Sequence, residues 1–507
     1  MPYITIGRKQ YDTWPPEDAV TQTRLENYYR SRLLFKGRHH DVFPRVQKWL
    51  DREADKAMVY IVCNFAGLLS KVSADMLFGE EPRFIAGEGD EKSKEQISLN
   101  NIIDNNNLHT LNYEMALSAS WRGETVYRIR YGKFADWQDT EFPIIEATSP
   151  GYFYPILEED NIRGLRGGVF GWIKQGPGDK EYLRLERQLP GLIENELWLM
   201  EGSKIQSRVK LSTFPEYAEM EDVQETKYPG LLFEFVPNWR MDDEFWGISD
   251  YYDLEGIFDE LNNRVSRISR VLDKHESPKL ILPPGIMKMD EQTGRYYIEK
   301  EDLEAMELSD EDRSDLPKYL TWDAQLETSM KQIEQLLQLA FMMSETSPDA
   351  FGLSKDGGTA ESGRALKFRL IRLLAKINRK KLYFNQALKN VLYAAQYLEA
   401  QWGKGPAPVD IRAEWQDGLP ADELEQAQVE QTRTGSKATT SVRSAVRRLD
   451  GLEGEALEEE LEEIANDEAA GQLAAPGGQG GRSGLNLGLG DDDGGGAGGG
   501  AGGAGDE

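Results

Sequence analysis

One stretch of this 507-residue chain has the glycine spacing of a nucleotide site. Gly358-Thr359-Ala360-Glu361-Ser362-Gly363 precedes a helical pattern, as a phosphate-binding loop would. Such a loop then needs Lys for the β/γ-phosphates and Ser or Thr for magnesium. Arg364 and Ala365 stand there instead, and alanine cannot coordinate a metal. A helix and a loop lead in, not a strand. The stretch therefore reads as a flexible loop with a helix start at Thr359 or Ser362. Acidic runs such as Glu158-Glu159 and Asp242-Asp243-Glu244 could serve acid–base or metal chemistry, but in a chain with 88 Asp and Glu against 59 Lys and Arg they read as solvated charge. The four histidines (His39, His40, His109, His275) and the single Cys63 make no zinc spacing. Cys63 follows Val62 on what reads as the apolar side of a helix, so a buried, inert thiol is expected. No catalytic residues, cofactor or metal site are assigned.

Two basic groups remain. Arg264, Arg267 and Arg270, with Lys274, lie roughly along one helix face. Arg364, Lys367, Arg369, Arg372, Lys376 and Arg379 to Lys381 crowd a second helix. Either group could touch phosphates or make salt bridges to acidic neighbours. Both readings stay open for the arginine face; salt bridging is the expectation for the second helix. The net charge of −29 argues against tight, static nucleic-acid binding over the whole surface but allows DNA to pass loosely.

The elements that would position these residues can be read from periodicity. Ala57 to Phe78 has apolar residues mostly three or four apart and reads as a helix closed by Gly79; a second covers about Leu108 to Arg122. Glu124 to Arg240 alternates and is punctuated by Gly and Pro, which predicts strands and turns. Ser249 or Asp250 could cap a helix to about Glu276, with a narrow stripe at Leu254, Ile257, Leu261, Val265, Ile268 and Leu272. A small insert follows, with strands expected at Lys279–Leu282 and Arg295–Ile298. A second helix, Asp323 to about Glu345, carries Leu326, Met330, Ile333, Leu337, Ala340 and Met343. The simplest geometry is an antiparallel pair with the insert at its far tip. A Gly-rich loop leads to one very long helix, Glu361 to Trp402, striped by Leu366, Leu370, Leu373, Ile377, Phe384, Leu388, Val391, Ala395 and Leu398. An extended run with Trp415 precedes acidic helices broken at Gly435 and Gly451. The remainder, from about Ala469, is Gly-rich and expected to be disordered. Neither a signal peptide nor a membrane span is expected: the longest strongly apolar run, Leu336 to Met343, is far short of the roughly 20 residues a span needs. The chain is expected to be soluble and cytosolic when made.

In this order the parts resemble the portal proteins of tailed bacteriophages, especially the long-tailed, siphovirus type. The likeness rests on Asn64 to Pro82 (NFAGLLSKVSADMLFGEEP), on Trp246-Gly247-Ile248-Ser249-Asp250 with Leu261-Asn262, on Pro278 to Leu282, on Ala350-Phe351-Gly352 with Ser362-Gly363-x-Ala365-Leu366-Lys367, and on Trp415-Gln416-Asp417-Gly418-Leu419-Pro420 before a Glu-rich helix. It covers about residues 20 to 465.

The resemblance implies an α+β, mainly helical subunit of a ring, typically of twelve copies. It implies an N-terminal wing (1–249), a first stem helix (250–277), a clip (278–321), a second stem helix (322–345), a tunnel loop (346–360), a long wing helix (361–408) and a crown (409–468), ahead of the tail (469–507). Stem packing falls to Leu254, Leu261, Val265, Ile268, Leu326, Ile333 and Leu337. The DNA-facing loop would present Gly352, Lys355, Asp356, Gly357 and Gly358, and Arg264, Arg267 and Arg270 could face the channel. The implied partners are double-stranded DNA, the terminase large subunit, major capsid and scaffolding proteins and a head–tail adaptor, with no membrane; the implied location is the portal vertex of the capsid, after assembly in the host cytoplasm. Another ring-forming head–tail adaptor or scaffold is the alternative.

Overall fold

A computed structural model describes residues 2–45, 59–135, 137–276, 279–281, 288–290, 294–297, 318–320, 326–353, 363–416, 423–435, 438–449, 451–452 and 454–473. The chain divides into two compact units, Met1–Pro420 and Ala421–Glu507.

The first unit opens with a hairpin, β1 (Ile4–Ile6) and β2 (Lys9–Tyr11), and helix α1 (Ala19–Phe35), which Asp18 caps by accepting from the Thr21 amide. After the short α2 (His39–Val42) comes α3 (Phe65–Phe78), then β3 (Arg83–Ala86), α4 (Lys94–Asn105) and α5 (Leu108–Arg122). Helix α3 is shorter than periodicity predicts. Residues 59–64 are not helical although Val59 and Val62 have helical spacing. Tertiary hydrogen bonds take their amides: Ile61 N–H donates to Ser266 Oγ (2.9 Å) and Cys63 N–H to Asn262 Oδ1 (2.8 Å). Asn64 then starts the helix by accepting from Gly67 N–H. Cys63 is therefore outside the helix and only half-buried, with burial raising its thiol pKa.

The alternating middle region folds as strands: β4 (Glu124–Gly132), β5 (Phe142–Thr148), β6 (Phe153–Leu157), β7 (Leu165–Gly176), β8 (Lys180–Leu189), β9 (Leu192–Glu201), β10 (Lys204–Val209), β11 (Val223–Glu225) and β12 (Phe233–Pro237). Five form an antiparallel meander in the order β10-β9-β8-β7-β6, with β11 also on β9; β12-β4-β5 is a separate antiparallel sheet. Phe153, Phe170 and Phe233 close the space between them.

Helix α6 (Glu255–Glu276) leads to β13 (Lys279–Ile281), β14 (Lys288–Met289), β15 (Tyr296–Tyr297) and β16 (Lys318–Leu320), and the chain returns along α7 (Leu326–Met343). Strand β13 pairs antiparallel with β16, and β14 with β15. Leu254, Ile257 and Phe258 share a core with Ala340 and Phe341 at the opposite end. The helices are thus antiparallel, joined at the far tip by a β ladder.

Next come α8 (Gly363–Arg369) and α9 (Ile371–Gln401), then β17 (Ile411–Glu414), which pairs with β3. The single long helix expected over 361–402 is therefore two, broken at Leu370, which leaves helical geometry (φ −92°, ψ 4°). The stripe read from the sequence is the core: Leu370, Leu373, Ile377, Phe384, Leu388, Val391, Ala395 and Leu398 are buried, against α3, α4, α5, β4 and β5. The second unit holds α10 (Glu423–Thr434), α11 (Val442–Leu449) and α12 (Gly454–Leu473), interrupted near Gly435 and Gly451. Helix α12 runs five residues into the stretch read as disordered from Ala469; residues 474–507 lie outside the described part.

Candidate functional site at the root of the helix pair

The approach to α6 explains the Gly-x-Ser-Asp stretch residue by residue. Gly247 lies against Gly123, where a Cβ would come within 2.0 Å of the Gly123 carbonyl oxygen, so only glycine fits. Ser249 Oγ donates to the Trp121 carbonyl (2.9 Å) and accepts from Tyr251 N–H (3.0 Å), which fixes the turn. Asp250 does not cap α6. The helix begins only at Glu255, after Asp253 adopts a left-handed φ of 64°, so Leu254 lies just ahead of it.

Asp250 is turned into the protein, with its side chain 1% exposed. Lys376 Nζ approaches Oδ1 (3.1 Å) and Lys380 Nζ approaches Oδ2 (2.5 Å). Ser120 Oγ donates to Oδ2 (2.6 Å) and Asn238 Nδ2 to Oδ1 (3.1 Å). Burial alone would raise the Asp250 pKa, but the two ammonium groups outweigh it and hold the carboxylate far below its ordinary range. Burial, opposed by Asp250, pushes Lys380 down to about 8. Lys376 also donates to the Ser344 carbonyl (3.0 Å), and Lys380 to Ser73 Oγ (2.6 Å). One carboxylate therefore ties together α5, the end of β12, the start of the helix pair, its return end and α9.

Sequence reasoning missed this cluster, yet a signal was present. Lys380 sits between Ile377 and Phe384 on the buried stripe of α9, where spacing calls for an apolar residue. A lysine there needs a buried anion.

The Leu261-Asn262 pair is a second anchor. Leu261 is buried. Asn262, fully buried, takes the Cys63 amide on Oδ1, and its Nδ2 donates to Tyr60 Oη (3.1 Å) and lies 2.8 Å from His39 Nδ1. Of the other stem positions, Leu337 packs partly buried on the Leu254–Phe258 core, while Val265, Ile268 and Ile333 are half-buried. Leu326 begins α7.

The basic groups fall out unevenly. Arg264 pairs with Glu260 (2.6 Å) and Arg267 donates to Asn263 Oδ1 (2.9 Å), one turn back in each case; Arg270 is half-buried on the same helix. On α8 and α9, Arg369 meets Asp349 (3.5 Å) and Arg379 holds Glu345 (2.6 Å), besides the two lysines on Asp250. Four of the eight cations of that group, Arg369, Lys376, Arg379 and Lys380, thus make salt bridges within the chain itself. Gly352 has a left-handed φ of 70° and closes a 3₁₀ turn at Pro348–Phe351. Lys355, Asp356, Gly357 and Gly358 lie outside the described residues, as does most of 278–321.

A cavity of about 680 Å³ opens directly over the cluster. Arg240, Lys376, Arg379 and Lys380 contribute positive charge to its lining, Asp250 and Glu345 negative charge, and Trp239, Tyr252, Met343, Leu382 and Tyr383 apolar surface. Among the described residues no three His, Cys, Asp or Glu side chains could hold a metal together, and no helix is long and apolar enough to cross a membrane. The arrangement locks helices together by charge.

No curated protein sequence matches the chain. Among solved structures it is similar to a chain of the neck of a native GTA particle computed with C12 symmetry, at 13% identity over 76% of this chain and 90% of that one (TM-score 0.37). It is also similar to a chain of the virion of a native gene transfer agent particle, at 14% identity over 87% and 95% (TM-score 0.36). The family model described as phage portal protein, SPP1 Gp6-like, matches residues 16–170 and 206–472, and over that span the chain belongs to the phage portal protein family.

Proposed function

We propose that this portal protein assembles as a closed ring of twelve copies at one capsid vertex, and that double-stranded DNA is packaged and later ejected through its axial channel. The antiparallel pair α6/α7 is the stem lining that channel, 278–321 the clip, 346–360 the tunnel loop, 361–408 the part of the wing that holds α8 and α9, and 409–468 the crown, with residues 1–249 forming the rest of the wing. The terminase large subunit docks on the clip during packaging and a head–tail adaptor afterwards, while capsid and scaffolding proteins meet the wing. The subunit has no catalytic role of its own; it is made in the host cytoplasm and ends in the virion.

The observation that carries this reading is the state of the helix pair. Leu272 on α6 and Met330, Leu339, Met342 and Met343 on α7 are 42–74% exposed in the single chain. These large apolar side chains, left exposed along both helices of the pair, are what an assembly would cover. Lateral packing of copies around an axis buries them on both sides of the pair. The acidic balance fits a wall past which DNA slides, because 88 Asp and Glu outnumber the 59 Lys and Arg that could neutralise phosphates. Native mass spectrometry of the purified full chain tests the assembly. A single closed oligomer is expected; a monomer at micromolar concentration contradicts it.

A further inference from the structure

We propose that the cavity over Asp250, Lys376 and Lys380 receives a carboxylate side chain from an adjacent copy of this chain, so that the buried charge cluster is completed only between subunits. This rests on the ring reading and adds the site where copies interlock.

The first ground is charge. Two lysines less than a tenth exposed share the single carboxylate of Asp250. Glu345 is already held by Arg379 through two hydrogen bonds (2.6 and 2.8 Å). Arg240, on the lining, has neither a hydrogen bond nor an ion pair among the described residues. Its pKa is lowered, first by burial and then by Arg163, against the opposing pull of Tyr383. Four cations against two carboxylates leave a positive cavity in a chain of net charge −29. A second copy is therefore the complementary surface.

The second ground is the apolar margin. Ile371, Ala375 and Leu382 are exposed along one face of α9, with the polar Asn378 between the last two, the spacing of a helix seam. Leu382 is 73% exposed, and Tyr252 (57%) and Met343 (43%) continue the margin round the cavity mouth. A free small anion would satisfy Arg240 and leave this seam in water. A protein surface with a projecting Asp or Glu covers both.

The test uses the full chain with benzoylphenylalanine encoded in place of Leu382, mixed and co-assembled from isotopically labelled and unlabelled protein. Irradiation should give a species of twice the chain mass. Its cross-linked peptide should join labelled to unlabelled protein and carry an Asp or Glu near the attachment point. Cross-links confined to one chain, or no cross-link in a ring that native mass spectrometry shows intact, overturn the proposal and leave the ring reading standing. A wild-type chain that forms no ring overturns the ring reading and this proposal together. Independently, Arg240→Glu should raise the concentration for half-assembly at least tenfold while Arg240→Lys leaves it within about threefold. Equal assembly of both variants contradicts the proposal.

Discussion

Asp250 and Lys380 lie 130 residues apart in the chain and 2.5 Å apart in the structure, both nearly sealed from solvent. The pair joins the entry of the helix pair to the long helix that runs through the main core.

Asp250→Asn should therefore be severe. It leaves two buried ammonium groups without their anion, which costs about 3–5 kcal/mol. Thermal unfolding should show a clear drop in Tm, and the double variant Asp250→Asn with Lys380→Met should recover part of it. A single variant as stable as the parent would show that the cluster is not a lock.

Asn262→Ala removes the acceptor for the Cys63 amide and a partner of both His39 and Tyr60. A loss of about 1–3 kcal/mol is expected from these buried groups. Hydrogen exchange should show early opening of residues 59–64, whose contacts run through Asn262 and Ser266.

Stability should also depend on pH through Glu124. Burial raises its pKa to about 8, against the pull of Arg24. The folded state thus holds a proton that the unfolded chain releases near pH 4.5. The stability this proton contributes is full below the unfolded value, falls as pH rises towards 8, and is lost above it. Glu234, raised by burial to about 7, contributes the same sign over a narrower window. Glu124→Gln should flatten the decline, most visibly between pH 7 and 8, where Glu124 alone still titrates of the two. Denaturant melts across pH 5–9 check this; an unchanged slope would refute the assignment.

Shortening Leu353 to Gly358 should spare assembly and impair DNA packaging. The segment follows the turn that Gly352 closes, and Lys355 and Asp356 within it are the charges a loop at the constriction would show to DNA. Packaging at the parental rate would mean that it neither grips nor gates DNA.

Much of this architecture was legible in the sequence. The buried stripe from Leu373 to Leu398 has one period throughout, and packing follows it. The alternation of 124–240 gave strands, because there one face of each strand meets a core. What escaped reading depends on residues far away. Val59 and Val62 have helical spacing, but Ser266 and Asn262 claim the neighbouring amides from more than 190 positions on. Ser249-Asp250 before an apolar period looks like a helix cap, and nothing local reveals two buried lysines waiting for that carboxylate. Lys380 on an apolar stripe was the one visible anomaly.

The central claim is that α6 and α7 line a channel in a ring, and a cryo-EM reconstruction of the assembled full chain tests it most directly. The account predicts a closed ring with this helix pair around the axis, residues 346–360 at its narrowest point, and the Leu382 margin of each copy covered by the next. A ring with the helix pair on its outer rim, or an assembly with no axial opening, would contradict it.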